Sequence, residues 1–434
     1  MHRPKERKQP PGAERTRKSS AARAHRPPAS GRRVWLFRLT AALILPLLGL
    51  GGLEAALRLA GYGYPTSFFL SRQVDGQEVL VENDRFGLRF FPPSMARSPA
   101  PIRLTARKAA NTYRVFVFGE SAALGDPRPA YGVARYLEAM LEQRFPGTQF
   151  EVVCVAMTAI NSHGILPIAR ECARLSGDAW VIYMGNNEMA GPFGANTVFG
   201  PQAPPWRLVR AGLALQSTRT GQWLAALLRQ WRGEQAAPQL WTGLRMFLQS
   251  QIPPDDRRRK IVHANFQRNL EDIVRVGTRS GARVVLSTVA SNLKDCPPFA
   301  SLHGAGFRQA DQAEWTKLMT NGARSEAEGK FGEALLAFEQ ATRIDPHFAE
   351  LQFRVGHCLA GLTNFSQARR AFALARDYDA LPFRADSKLN DILTQTGQRF
   401  ASRGVEVLDA EAALAPHTPE GIPGSDLFYE HVHL

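Results

Sequence analysis

Hydrophobic positions along the chain fall into three patterns. The first is a nearly unbroken apolar run, Val34 to Leu53 (VWLFRLTAALILPLLGLGGL), with Arg38 as its single charge. Coiled as a helix, about twenty such residues span roughly 30 Å, the thickness of bilayer hydrocarbon. The second pattern is a series of short apolar runs rich in β-formers: YRVFVFG (113–119), FEVVCVAM (150–157), AWVIYMG (179–185) and ARVVLSTVA (282–290). Between them lie segments with helical spacing at 131–144, 165–175 and 269–281. Strands apolar on both faces, alternating with helices, predict a parallel sheet covered by helices on both sides.

The third pattern is an internal repeat. Gly322, Phe331, Ala334, Phe338 and Ala341 recur 34 residues later as Gly356, Phe365, Ala368, Phe372 and Ala375. Small residues let two antiparallel helices approach while aromatics fill the space between them, and the period is that of the tetratricopeptide repeat. Pro346 fits the end of the first unit, whereas its counterpart is Ala380. Two units are fewer than such arrays usually need. Either the helix expected at 384–400 caps them or the main domain shields one face. Such repeats bind peptides, so this pair is expected either to dock a protein partner or to be a structural insertion.

Charge changes the picture only at the amino end. Of the net +15, residues 1–38 supply +10, from twelve Lys or Arg against Glu6 and Glu14. The remainder shows no cluster of Lys/Arg and aromatics of the kind that reads nucleic acid, so no nucleic-acid partner is expected; anionic lipid explains a basic tail equally well. Basic residues before the apolar run put the amino terminus in the cytoplasm and everything after Leu53 outside. A cleaved signal peptide competes with this signal-anchor reading, but no A-x-A site follows the run directly. The four cysteines have no metal-ligand spacing. Burial accounts for Cys154 and Cys358, although one or two disulfides fit an oxidising compartment.

Candidate chemistry lies at the ends of the predicted strands. Gly119-Glu120-Ser121-Ala122 follows the first strand, at the carboxyl edge of the sheet, where α/β folds bind ligands. Ala156 to Asn161 follows the second, and Gly185-Asn186-Asn187-Glu188 the third. The chain then reaches Asp426-Leu427-Phe428-Tyr429-Glu430-His431-Val432-His433. A serine, a small-residue turn, an asparagine and an acid-x-x-His, in that order, resemble the four blocks of the SGNH/GDSL hydrolase superfamily over Tyr113 to His433.

The resemblance implies a flavodoxin-like three-layer α/β fold with the repeats inserted before the last block. It implies Ser121 as nucleophile, His433 as general base and Glu430 as the acid orienting it. Asn187 and the main-chain N–H of Ala159 would form the oxyanion hole, with no metal or other cofactor. The chain departs from the family pattern in having Glu120 and Glu430 in place of Asp, and Ala159 in place of Gly. His431 competes with His433, and Asp426 with Glu430. Superfamily members continue into a closing helix after the histidine, so with Leu434 next either the block is truncated or that helix is absent.

The expected organisation is a disordered basic tail (1–33), a transmembrane signal-anchor (34–60), a neck (61–110) and the hydrolase domain (111–310), with a helical elaboration over the site at 200–262. The repeat insertion (311–400) and the histidine block (401–434) follow. The expected activity is that of an anchored esterase or O-acyltransferase working outside the membrane on an ester- or acyl-bearing substrate, such as envelope polysaccharide or lipid. The competing expectation is a catalytically weak scaffold whose repeats recruit a partner of an envelope or secretion assembly.

Overall fold

The computed structural model describes residues 31–231 and 241–434. Of the tail expected to be disordered (1–33), residues 1–30 lie outside the described residues, and 31–33 are instead the first residues of a helix. The chain divides into two units, residues 1–56 and 57–434. Helix α1 (Gly31–Leu59) carries the apolar run, and within it Trp35–Leu59 is long and apolar enough to cross a membrane, with mean hydropathy 1.8.

The stretch expected as a neck contains an antiparallel sheet, β1 (Phe69–Val74), β2 (Gln77–Glu82) and β3 (Arg103–Thr105). Its hairpin turns at Asp75-Gly76, with φ of 52° and 73°. An Asp-Gly pair takes such a left-handed turn readily, and its twist matches that of the flanking strands. Phe68, Phe86, Phe90 and Leu104 join the main core. Glu171 accepts the main-chain N–H of Phe68 at 2.8 Å, so this stretch is an integral part of the domain.

The main sheet has five parallel strands: β4 (Thr112–Gly119), β5 (Gln149–Cys154), β6 (Ala179–Tyr183), β7 (Arg283–Ser287) and β8 (Val405–Leu408). Their order is β5-β4-β6-β7-β8. Counted within this sheet the order is 2-1-3-4-5, a doubly wound arrangement in which the switch point flanks the first strand. Four of these strands match the apolar runs; β8 is additional. In β4, Phe116 and Phe118 face one core, and Val115 and Val117 the other.

Helix α2 (Ser121–Leu124) is a single turn after β4, and α3 (Val133–Arg144) covers the valine face. On the phenylalanine face lie α4 (Ser162–Cys172) and, after α5 (Trp206–Gln216) and α6 (Arg219–Trp231), α7 (Arg257–Arg279). The RRRK of the charged DDRRRK stretch opens α7, whose first turn is capped by Asp256 accepting the N–H of Arg258 at 2.8 Å.

Two helical hairpins, α8 (Gln312–Ala327) with α9 (Phe331–Ile344) and α10 (Ala349–Gly361) with α11 (Phe365–Asp377), follow β7. A Cβ on Gly322 would lie 2.5 Å from the Phe338 ring, and one on Gly356 2.7 Å from Phe372, so the repeated glycines are the points of closest helix approach. Leu293 and Ile422 of the main domain pack on Ala368 and Phe372 of the second hairpin. Helix α12 (Ser387–Phe400), within the span assigned to the insertion, lies instead against α7 and β8. It therefore serves as the crossover into the last strand, which α13 (Ala410–Leu414) follows. All four cysteines are free.

Candidate functional site

The site is assembled from loops at the carboxyl ends of β4, β5 and β6 together with the segment after α13. At Gly119 a Cβ would sit 2.1 Å from the Tyr183 carbonyl oxygen, so only glycine lets the turn out of β4 pack against β6. Glu120 follows in extended conformation, 1% exposed, and its carboxylate accepts the N–H groups of Gly185 at 3.1 Å and Asn187 at 3.0 Å. The loop after β6 thus hangs from the residue beside Ser121, and Ser121 opens α2.

The loop after β5 contains Ala159 at φ 62°, in the left-handed region that favours glycine. Asn161 caps α4 and donates its amide to the Pro192 carbonyl at 2.8 Å, tying this loop to the one after β6.

In the last segment Glu430 takes both histidines. Its Oε1 accepts Nδ1–H of His433 and its Oε2 accepts Nδ1–H of His431. Asn292 steadies the segment by donating its N–H to the His431 carbonyl at 2.9 Å and its amide to the Glu430 carbonyl at 3.1 Å. Asp426, the alternative orienting acid, is exposed and has neither histidine as partner.

Ser121, Ala159, Asn187, His431 and His433 line one cavity of about 150 Å³. Its apolar walls come from Phe199, Trp241, Phe247 and Phe383, and Asp126 stands at its edge with Thr158 donating to it at 2.6 Å. Two polar atoms of this group, Nδ2 of Asn187 and Nε2 of His433, are buried with no hydrogen-bond partner. Buried unpaired polar atoms are costly in a folded protein, so each of these two calls for a partner such as water or a bound molecule. Ser121 and His433 are not directly hydrogen-bonded to each other, a looseness common in ligand-free sites.

Burial pushes His431 down to about 3, with Arg384 and His433 adding to the shift. Burial also lowers His433, against the pull of Asp126. Both rings are therefore neutral at pH 7. With Nδ1–H given to Glu430, the Nε2 of His433 carries the lone pair and can accept a proton. Burial and the neighbouring Glu188 hold Glu120 well above the usual carboxylate range, against the N–H groups of Asn187, Gly185 and Asn186. Burial also raises Glu188, to about 7, despite hydrogen bonds from Ser162. Among the described residues, no three His, Cys, Asp or Glu side chains cluster as a metal ion would need.

The apolar walls, Asp126 and the anchoring role of Glu120 were not expected from sequence. Trp241 and Phe247 lie inside the elaboration expected over the site, but no periodicity there singles them out. No family model and no curated protein matches the chain.

Proposed function

We propose that the chain is a serine esterase or O-acyltransferase of the SGNH/GDSL type. One observation carries the reading: a serine, an asparagine with an unpartnered buried amide, and a carboxylate-bound histidine with an unpartnered buried Nε2 share one cavity at the switch point of a parallel sheet.

In this reading Ser121 Oγ attacks an ester carbonyl while Nε2 of His433 takes its proton, and Glu430 stabilises the imidazolium that results. The Asn187 amide and the main-chain N–H groups of Ser121 and Ala159 receive the oxyanion; a single such donor is worth roughly 10²–10³-fold in rate. The leaving alcohol takes the proton back and departs, leaving an acyl-serine. Water attacking that ester gives hydrolysis, and a substrate hydroxyl gives acyl transfer. The aromatic walls suit a short acyl chain.

The remaining assignments belong to the same proposal. The 34-residue period and the glycine-to-ring contacts support a tetratricopeptide pair that docks a protein partner. The apolar helix and the basic tail before it support a single-pass anchor, with the catalytic domain outside the cytoplasm facing envelope polysaccharide or lipid esters. The test is labelling of the full chain with a fluorophosphonate probe. Labelling of the wild type and its loss in Ser121→Ala support the enzyme. A folded wild type that takes no label overturns it in favour of a repeat-bearing scaffold.

A further inference from the structure

A second cavity, of about 230 Å³, lies away from the serine among α4, α5, α7 and the turn at Phe86–Arg89. Its lining includes Arg89, Arg170, Arg210 and His163, and no carboxylate. We propose that it binds the phosphate group of an organic phosphate ester.

The charged groups of this cavity are all donors. Arg210 gives one Nη to Asp272 at 2.6 Å and the other to the Asn269 carbonyl oxygen at 2.8 Å, yet its Nε is buried without a partner. Arg89 gives Nη1 to the Thr66 carbonyl at 3.0 Å, and its Nε is likewise buried and unpartnered. Because Arg210 claims the Asn269 oxygen, the Asn269 amide nitrogen must be the donor to Nδ1 of His163, 3.1 Å away. His163 then carries its proton on Nε2, so this 5%-exposed ring also offers an N–H. Arg170 is exposed, and the acid that attracts it, Asp272, is already shared by Arg210, Arg268 and Arg275.

Guanidinium groups arriving from the Phe86–Arg89 turn, from α4 and from α5 surround one space. A tetrahedral oxyanion accepts from several directions at once, and planar guanidinium forks match it. Leu166, Pro167, Leu213 and Ala214 line the same cavity and provide apolar surface for the carbon side of an ester.

Two sources share this chemistry, a phospholipid headgroup and a soluble phosphate ester, and the surroundings favour the headgroup. Helix α6, joined to α5 by the turn that contributes Ser217 to the cavity, exposes Trp223, Leu227 and Trp231. An exposed Trp/Leu face next to arginines is the composition of a helix lying in a lipid interface. Gln222 at the start of α6 accepts the N–H of Tyr64 at 2.9 Å, and Tyr64 is only five residues past Leu59, the end of α1.

The experiment uses the full chain in an uncharged detergent, comparing wild type with Arg170→Gln and Arg89→Gln. Arg170 is exposed, so its variant keeps the fold, checked by circular dichroism. Native mass spectrometry reads retention of phosphatidylglycerol and phosphatidylcholine; calorimetry reads binding of glycerol 3-phosphate and inorganic phosphate. A retained phospholipid that either variant loses supports the site and assigns it to a headgroup. Saturable glycerol 3-phosphate binding, weakened roughly tenfold or more in either variant, supports the site with a soluble ester as ligand. Ligand binding that neither substitution weakens, or no binding by the wild type, overturns the proposal.

Discussion

Glu120 holds Asn187 by its main-chain N–H at 3.0 Å, so the residue preceding the serine fixes the loop that carries the asparagine amide. An aspartate, one methylene shorter, would reach less far toward that loop. Glu120→Gln keeps the shape but leaves one acceptor oxygen for two N–H groups. The expected result is a folded protein, destabilised by about 1–3 kcal/mol, whose fluorophosphonate labelling slows by roughly tenfold. Unchanged labelling kinetics would show that the loop does not depend on this carboxylate.

The two histidines on Glu430 should behave differently. Only His433 has a buried, unpartnered Nε2, so His433→Ala should lower the esterase rate by on the order of 10⁴-fold. His431→Ala should retain most of it. In the proposed mechanism the rate needs neutral His433, and burial lowers its pKa below the ordinary 6.5. Activity should thus be flat near pH 7 and fall only as the pH drops through a midpoint below 6.5. A midpoint above 6.5, or greater loss in His431→Ala, would reassign the base.

Much of this arrangement could be read along the chain, for physical reasons. Strands buried on both faces leave continuous apolar runs, and turns at their carboxyl ends fall at one edge, which brings Ser121, Ala159 and Asn187 together; His433, in the same cavity, was legible only through the resemblance of the acid-x-x-His block. β8 was hidden because it is a four-residue edge strand with polar Glu406 in its middle. The β1–β2 hairpin did carry a signal, the Asp75-Gly76 pair, which the turn-rich context obscured. Two of the cavity's aromatic walls, Trp241 and Phe247, come from a short turn where no period exists to read.

In the proposed mechanism those walls set the acyl preference. Trp241 borders the cavity and stacks on Phe199 at 5.9 Å between ring centroids. Trp241→Ala should shift kcat/KM from short to longer p-nitrophenyl esters, each added methylene that is buried gaining about 0.8 kcal/mol, roughly fourfold. A proportional loss for every chain length would argue that Trp241 only supports the fold.

In the insertion, Gly322→Ala places a Cβ 2.5 Å from the Phe338 ring. The expected cost is about 1–3 kcal/mol, read as a lower denaturation midpoint. Gly332→Ala, with open space around its Cβ, serves as the control and should be neutral. Equal midpoints for the two would contradict the close approach of α8 and α9.

The hairpins enter the chain between β7 and β8, and Leu293 and Ile422, on either side of that entry, meet on the second hairpin. Asn292, next to Leu293, holds the segment bearing both histidines. On the proposed reading, a growing polypeptide would make its serine early and arm it last, once the hairpins had collapsed into a surface on which the imidazole segment could settle. The proposed nucleophile would remain unreactive until then, a built-in safety catch during synthesis.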